Sequence, residues 1–301
     1  MVKSITNSVV RFLFVVIGIV MISAFLGMTM YKIDISFMSY FQNLKKLVIL
    51  LVNPSEIIVY KDIYSIKYPS PYPSPIEKNY PLFPMFWEYY LYSIKIFMAA
   101  LVTAMFAGIF LTYFTAFLPK RVVQVLSRIL SFLEALPDIF VIFVVQFFII
   151  WFYKKTEILL FPIAGAFEKV YFVPIIVLSL LPTLFFYKVS LFMTMEEYEK
   201  HYAEFAISKG VRPNLLFLKH IFRNAVIGIT SHSKAIIWLM LSNLIILERI
   251  FNIYGLTRYI LNYKQIEIIA FSLIMFYIPI FLILLISKLV IQRSTGKEVM
   301  I

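Results

Sequence analysis

Long apolar runs separated by short polar stretches dominate this chain of 301 residues. Crossing the hydrocarbon core of a bilayer takes about 20 apolar residues in a helix. Six runs reach this length, so the pattern predicts an all-α polytopic membrane protein with six transmembrane helices. The predicted spans cover residues 12–31, 96–118, 137–155, 171–193, 225–247 and 266–291.

The polar stretches divide the chain into unequal segments. Six prolines between Pro69 and Pro84 exclude a helix there and favour extended backbone. The preceding stretch FQNLKKLVILLV predicts a short helix along the membrane surface. The expected organisation is one transmembrane domain over 1–301, with a first span at 12–31, a long extracytoplasmic loop at 32–90, a five-span core at 91–291 that contains a polar loop at 194–224, and a tail at 292–301.

The first apolar run has two interpretations. A basic start followed by apolar residues is also the signature of a cleaved signal peptide. This run is longer than the apolar part of such peptides, and no A-x-A-like cleavage site follows it. We therefore expect a retained anchor.

Composition adds exclusions to this picture. The chain has no cysteine, which excludes disulfides, thiol catalysis and cysteine-based metal sites. It has three histidines and no H-E-x-x-H pattern, so neither a metal site nor a catalytic residue is predicted. The net charge of +12 indicates an excess of lysine and arginine, which we expect to contact anionic lipid headgroups rather than nucleic acid.

The distribution of lysine and arginine orients the six spans. With the N-terminus inside, the cytoplasmic segments hold twelve of these residues and the two short outer loops hold six. Cytoplasmic loops carry the excess of positive charge in membrane proteins. We therefore expect a multi-pass membrane protein with both termini and the 194–224 loop in the cytoplasm.

A stripe of small residues lies on one face of the second span, at every fourth position. Small side chains allow another helix to approach closely, so the stripe predicts a helix–helix contact. It consists of Ala100, Ala104, Gly108 and Thr112.

The loop EEYEKHYAEFAISKGVRPNLLFLKHIFRNA is predicted to form two helical pieces separated by a turn. The first piece ends at Gly210, which permits a sharp turn. Pro213 disfavours helix at Arg212, and Asn214 is expected to be the N-cap of the second piece. The apolar face of that piece is predicted to consist of Leu215, Leu218, Ile221 and Phe222.

The order of residues in this loop resembles the cytoplasmic EAA loop of ABC-importer permeases, in their oligopeptide, dipeptide and nickel branch. His201 and Phe205 stand where that branch has Asp and Thr. A second stretch, LERIFNIYGLTRYI, resembles the downstream motif of the same branch through Glu248, Phe251, Gly255 and Leu256. The loop residues that match in register are Tyr202, Ala206, Lys209, Gly210, His220, Arg223, Asn224 and Ala225.

Membership of this branch, as a B-type subunit, implies a type I ABC-importer permease fold and a translocation path for peptides or a related small solute. No P-loop occurs in the chain, so ATP and magnesium are expected on partner chains, and no cofactor on this one. The implied partners are a second permease subunit, two ABC ATPase subunits, an extracytoplasmic substrate-binding protein and the lipid bilayer.

The resemblance also implies roles for particular residues. In this family the EAA helix docks into a cleft on the ATPase, and charge complementarity fixes the register of such contacts. The residues assigned to ATPase coupling are Tyr202, Glu204, Ala206, Lys209, Gly210, Arg212, His220, Arg223 and Asn224.

Polar residues inside the spans are candidates for function because they are costly in a membrane. Glu134 and Asp138 flank Pro137, where they either cap a helix or line a pathway. Asn243 lies within the fifth span, and Glu248, Phe251 and Gly255 belong to the turn after it.

Two other kinds of transporter and one kind of enzyme are alternatives to this function. A peptide-exporting ABC permease stays open, as does a secondary transporter, although the chain shows no inverted repeat or paired ionisable groups at mid-membrane. The stretch EEYEKH resembles the E-E-x-x-x-R signature of membrane proteases, but His201 occupies the arginine position and no F-x-x-x-H follows. We therefore expect a transport subunit and no enzyme.

Overall fold

The computed structural model describes residues 2–30, 36–61, 78–162, 164–165, 168–263 and 265–296. Within these residues, six helices are long and apolar enough to span a membrane, which confirms the predicted fold class. The helices are α1 Val2–Met30, α2 Phe37–Val52, α3 Met85–Thr115, α4 Lys120–Glu134, α5 Asp138–Thr156, α6 Phe172–Tyr198, α7 His201–Ser208, α8 Pro213–Leu216, α9 Phe222–Ile250, α10 Leu256–Tyr263 and α11 Ile266–Thr295.

The candidate spans lie in α1, α3, α5, α6, α9 and α11. Several helices extend beyond the predicted spans, since hydropathy marks only the apolar part of a helix. The largest difference is in α3, which begins at Met85 directly after Pro84, whereas the predicted span begins at residue 96.

The segment between α1 and α3 contains regular structure where a loop was expected. The stretch predicted to form a short helix is α2, and its first turn is capped by Ser36, whose side chain accepts the Ser39 N–H at 3.2 Å. Two strands follow, β1 Ile58–Lys61 and β2 Lys78–Pro81, which pair antiparallel. Most of the proline-rich stretch falls at residues 62–77, outside the described residues.

The chain divides into two compact units. The first unit comprises Met1–Ile94 and Tyr254–Leu282. Its apolar core joins α1, α2 and α11 through Ala24, Leu47, Ile266 and Ala270.

Polar contacts tie the α2–β1 segment to the start of α11 in this first unit. Lys46 of α2 forms an ion pair with the buried carboxylate of Glu267. The side chain of Gln265 accepts the N–H of Tyr60 at 2.9 Å and donates to the carbonyl of Ile58 at 3.0 Å. Two backbone groups at the edge of β1 therefore have hydrogen-bond partners in a side chain next to α11.

The second unit comprises Lys95–Ile253 and Ile283–Ile301. In it, the predicted stripe of small residues on α3 is buried, with Gly108 against α6. A Cβ at Gly108 would lie 2.7 Å from Cβ of Phe186 and 3.0 Å from the backbone nitrogen of Tyr187. The hydroxyl of Thr112 donates to the carbonyl of Gly108 at 2.8 Å. The predicted helix–helix contact is therefore present, and its partner is α6.

Gly108→Ala is expected to lower the melting temperature of the purified protein in detergent. Forcing atoms into a filled contact typically costs about 1–3 kcal/mol. Gly18→Ala in α1 is the matched control, because a Cβ there has nothing within 4 Å and alanine favours helix over glycine by about 1 kcal/mol. A Gly108→Ala protein as stable as the unmodified one would contradict the close approach of α3 and α6.

Candidate functional site

The first helical piece of the predicted loop is α7, which has eight residues and lies outside every candidate span. It ends at a turn in which the N–H of Gly210 donates to the carbonyl of Ile207 at 2.9 Å. The N–H of Val211 donates to the carbonyl of Ala206 at 3.1 Å. Gly210 has φ of +72°, a conformation that costs any residue with a Cβ roughly 1–2 kcal/mol.

The requirement for glycine at position 210 is conformational within this chain. A Cβ built there meets nothing within 4 Å, so no neighbouring atom of the chain requires its absence. The predicted turn is confirmed. Close backbone contact with a partner at this position stays a prediction.

The second helical piece begins two residues earlier than predicted. Pro213 is the first residue of α8 and Arg212 is its N-cap, so the expectation that Asn214 caps this helix is wrong. Proline suits the first helical position because its missing N–H would have no helical partner there. The N–H of Leu216 donates to the carbonyl of Arg212 at 2.9 Å.

The second piece is also continuous with the fifth span. A π-helical segment, Phe217–Ile221, joins α8 to α9 and gives one helical run over Pro213–Ile250. The extra residue of a π turn rotates the helix phase by about 100°. As a result Leu215 and Leu218 are exposed, whereas the predicted apolar face had them packed.

Buried apolar residues fix the inner face of the two pieces. Ala203 of α7 packs with Leu216 and Ile221. Phe217 is buried, with its ring centroid 5.3 Å from that of Tyr113 in α3. The turn is therefore held against the membrane helices of the second unit by apolar contacts on both sides of Gly210.

The outer face of α7 carries exposed apolar and charged side chains. Phe205 is 60% exposed, and Nζ of Lys209 lies 4.3 Å from the centroid of its ring. Nδ1 of His201 lies 3.6 Å from the carboxylate of Glu204. Positions 201 and 205, which depart from the resembled family, are thus both on the outer face.

The predicted coupling residues divide into an outer and an inner set. Tyr202, Ala206 and Asn224 are partly buried, and Nδ2 of Asn224 donates to the Tyr202 hydroxyl at 3.2 Å. The exposed set consists of Glu204, Lys209, Gly210, Arg212, His220 and Arg223.

The residue that connects α6 to the inner set was not predicted from the sequence. Glu197, the penultimate residue of α6, accepts hydrogen bonds from Lys200 and from the hydroxyl of Tyr202. Burial first, and then the bond to Glu197, raise the pKa of Tyr202 to about 12. No spacing signal in the sequence distinguishes Glu197 from its neighbours Glu196 and Glu199, which are both exposed.

The predicted membrane carboxylates flank the break between α4 and α5, and each has a side-chain partner. Glu134 forms an ion pair with Lys188 of α6. Asp138 forms a side-chain hydrogen bond with Asn243 of α9. The N-cap of α5 is Pro137, without a side-chain cap, so both carboxylates bind other helices rather than capping α5.

Two cavities adjoin these pairs. One has a volume of about 460 Å³ and lies between α4, α6 and α9, with the Glu134–Lys188 pair and His232 in its otherwise mostly apolar wall. The other, beside Asp138 and Asn243, has about 10 Å³, room for one water molecule. Lys188 was not predicted, although a lysine within an apolar run is itself a signal.

The downstream motif forms a packed turn after α9. Glu248 and Phe251 are buried, and the carbonyl of Glu248 accepts the N–H of Ile253 at 2.8 Å. The carbonyl of Phe251 accepts the N–H of Gly165 at 2.9 Å. Gly255 is also buried and precedes α10. Among the described residues, no group of three His, Asp or Glu side chains could hold a metal ion.

Comparison with known families identifies a match over most of the chain. Residues 83–292 match the family described as binding-protein-dependent transport system inner membrane component. The match includes both motifs and five of the six candidate spans. No curated protein matches the sequence significantly.

Lys188→Met is expected to destabilise the protein, because it leaves the carboxylate of Glu134 without its partner. Breaking a buried pair costs about 3–5 kcal/mol, and Lys188 is 45% exposed, so a smaller loss is expected. The double variant Glu134→Gln/Lys188→Met should recover most of the melting temperature, since it removes both charges. A double variant no more stable than Lys188→Met would contradict a stabilising ion pair.

Gly210→Val is expected to loosen the turn after α7, whereas Gly210→Asn should preserve it. Asparagine visits the left-handed region readily, and a β-branched residue does not. Hydrogen–deuterium exchange of the peptide over residues 205–212 measures the difference. Equal protection in the two variants would contradict a conformational requirement at this position.

Proposed function

Because the chain belongs to the family of binding-protein-dependent transport system inner membrane components, and is a permease subunit of an ABC importer, we propose that α7 is the helix on which separate ATPase subunits act. In this proposal the ATPase subunits bind ATP and magnesium. Their closure displaces α7, and the displacement opens and closes the path between the membrane helices.

The exposed outer face of α7 is the observation that carries the proposal. A helix of eight residues is unstable alone in water, and here its inner face is fixed by Ala203. Phe205 and Ile207 are nonetheless exposed outside every candidate span. Exposed apolar residues rimmed by charge are typical of protein–protein contacts. An aromatic side chain among them is a frequent centre of binding energy.

Charge around this face supports a partner with an acidic cleft. Lys209 and Arg212 are exposed on the turn, and Lys219, His220 and Arg223 are exposed on the following helix. Complementary charge fixes the orientation of a docked helix and speeds association.

The continuity of α8 with α9 supports a mechanical role. One helical run reaches from Pro213, beside the docking face, to Ile250 at the far end of the fifth span. A force applied at the turn therefore acts directly on a membrane helix, without an intervening flexible loop.

The proposed substrate class, subunit type and location rest on the motif match and on the distribution of charge. Both motifs resemble the oligopeptide, dipeptide and nickel branch, which favours a peptide or a related small solute, and the early span favours a B-type subunit. A second permease subunit and an extracytoplasmic substrate-binding protein complete the proposed complex. The excess of lysine and arginine favours a cytoplasmic location for both termini and α7, and the resemblance favours a prokaryotic plasma membrane.

Phe205→Asp is expected to reduce retention of the ATPase subunits when the membrane complex is purified, because it places a carboxylate at the centre of the docking face. Ile158→Asp is the matched control. Ile158 is also 60% exposed, but it precedes α6 and therefore lies on the opposite side of that span from α7.

Quantitative mass spectrometry of the two purified complexes measures the ratio of ATPase subunits to this chain. The ratio should fall several-fold for Phe205→Asp and stay unchanged for Ile158→Asp. Full retention in both variants would reject α7 as the docking helix.

A further inference from the structure

A buried carboxylate at the end of α6 lies outside the docking face. Three glutamates occur near this end, and only Glu197 is buried, with 8% of its surface exposed. A carboxylate removed from water is stable only when it is paired and hydrogen-bonded. The partners of Glu197 therefore indicate why it points inward.

Both carboxylate oxygens of Glu197 have partners outside α6. Oε1 accepts from Nζ of Lys200, in the turn before α7, and Oε2 accepts from the hydroxyl of Tyr202, in the first turn of α7. The oxygen of Tyr202 accepts in turn from Nδ2 of Asn224, the third residue of α9, at 3.2 Å. One chain of hydrogen bonds thus joins α6, α7 and α9.

The direction of this chain is fixed by protonation. Burial, and after it the bond to Glu197, raise the pKa of Tyr202 to about 12, so the phenol keeps its proton at neutral pH. It therefore donates to Glu197 and accepts from Asn224. A bond to an ionised acceptor is about twice as strong as a neutral one.

Capping does not explain the arrangement. Lys200 is the N-cap of α7, and no side chain makes a capping hydrogen bond there. Apolar contacts also hold α7, through Ala203 with Leu216 and Ile221. The free energy of apolar contacts scales with the buried area and depends little on direction. Such contacts therefore keep α7 in place without fixing its rotation about its axis or its translation along it.

We propose that Glu197 is a positioning residue, and that its hydrogen bonds through Tyr202 to Asn224 lock α7 to α6 and α9, so that displacement of α7 moves both membrane helices together. This inference rests on the proposed function, because it takes ATPase subunits to displace α7. Without the lock, α7 would stay bound to the ATPase while it shifted relative to α6.

The absence of native cysteine allows a direct distance measurement. Cysteines placed at Ser208 on α7 and at Phe192 on α6, both exposed, are spin-labelled in the complex purified with its partner subunits and held in lipid nanodiscs. Pulsed electron paramagnetic resonance then gives the distance between the labels with ADP and after trapping with ATP and vanadate.

With Glu197 and Tyr202 intact, the distance should be the same in the two nucleotide states. With Glu197→Ala or Tyr202→Phe it should shift by about 3 Å or more, two residues of helical rise, while the ATPase subunits still co-purify. Tyr202→Phe is the gentler change, because the ring stays in its apolar surroundings. Glu196→Ala and Glu199→Ala are matched controls and should behave like the intact complex.

Unchanged distances in both the Glu197→Ala and Tyr202→Phe complexes would overturn the lock, as would a shift already present in the intact complex. Failure of the ATPase subunits to co-purify with the intact chain is a different result. It would contradict the proposed docking role rather than the hydrogen-bonded connection.

Discussion

A carboxylate with little access to water must find partners, and two carboxylates, one buried and one partly buried, hold the helices of the second unit in register. Glu134 pairs with Lys188 and ties α4 to α6. Glu197 accepts hydrogen bonds from Lys200 and Tyr202 and thereby connects α6 to α7. Leaving either carboxylate unpaired would destabilise the protein, by less than for a fully buried pair because Lys188 and Lys200 are 45% and 46% exposed. Both contacts therefore constrain how α6 can move relative to its neighbours. α6 also receives the close approach of α3 at Gly108.

The sequence predicted those features whose signals are local. The number of membrane spans follows from the length of the apolar runs alone. The helix–helix contact at Gly108 follows from the recurrence of small residues at every fourth position. The turn at Gly210 followed from the glycine and the nearby proline, and its φ of +72° agrees. Two motifs at the expected separation also indicate membership of the ABC-importer permeases, and the family match confirms it.

Features that depend on distant contacts were not predicted. Hydropathy gave no reason to choose Glu197 over Glu196, since only the folded chain brings Tyr202 and Asn224 to it. The exposed positions of Leu215 and Leu218 depend on a π-helical segment that helical spacing does not reveal. Helix α2 was predicted, but the β1–β2 pair beside it was not, because β1 is stabilised by hydrogen bonds to Gln265, a residue distant in sequence.

The two kinds of contact around α7 have different mechanical consequences. Apolar packing lowers the free energy of the docked turn, while the hydrogen-bonded chain determines its direction relative to α6 and α9. In the proposed mechanism, the continuous helix from α8 into α9 transmits a displacement of the turn to the fifth span. A partner that moves α7 therefore acts on two helices through one short segment.

The central claim is that α7 is the contact with the ATPase subunits. A photoreactive amino acid placed at position 205, with position 158 as the comparison, tests it in intact membranes. Irradiation should cross-link the chain to an ATPase subunit from position 205 and not from position 158. Cross-linking to an ATPase subunit from position 158, or its absence from position 205 in a complex that hydrolyses ATP, would contradict the account.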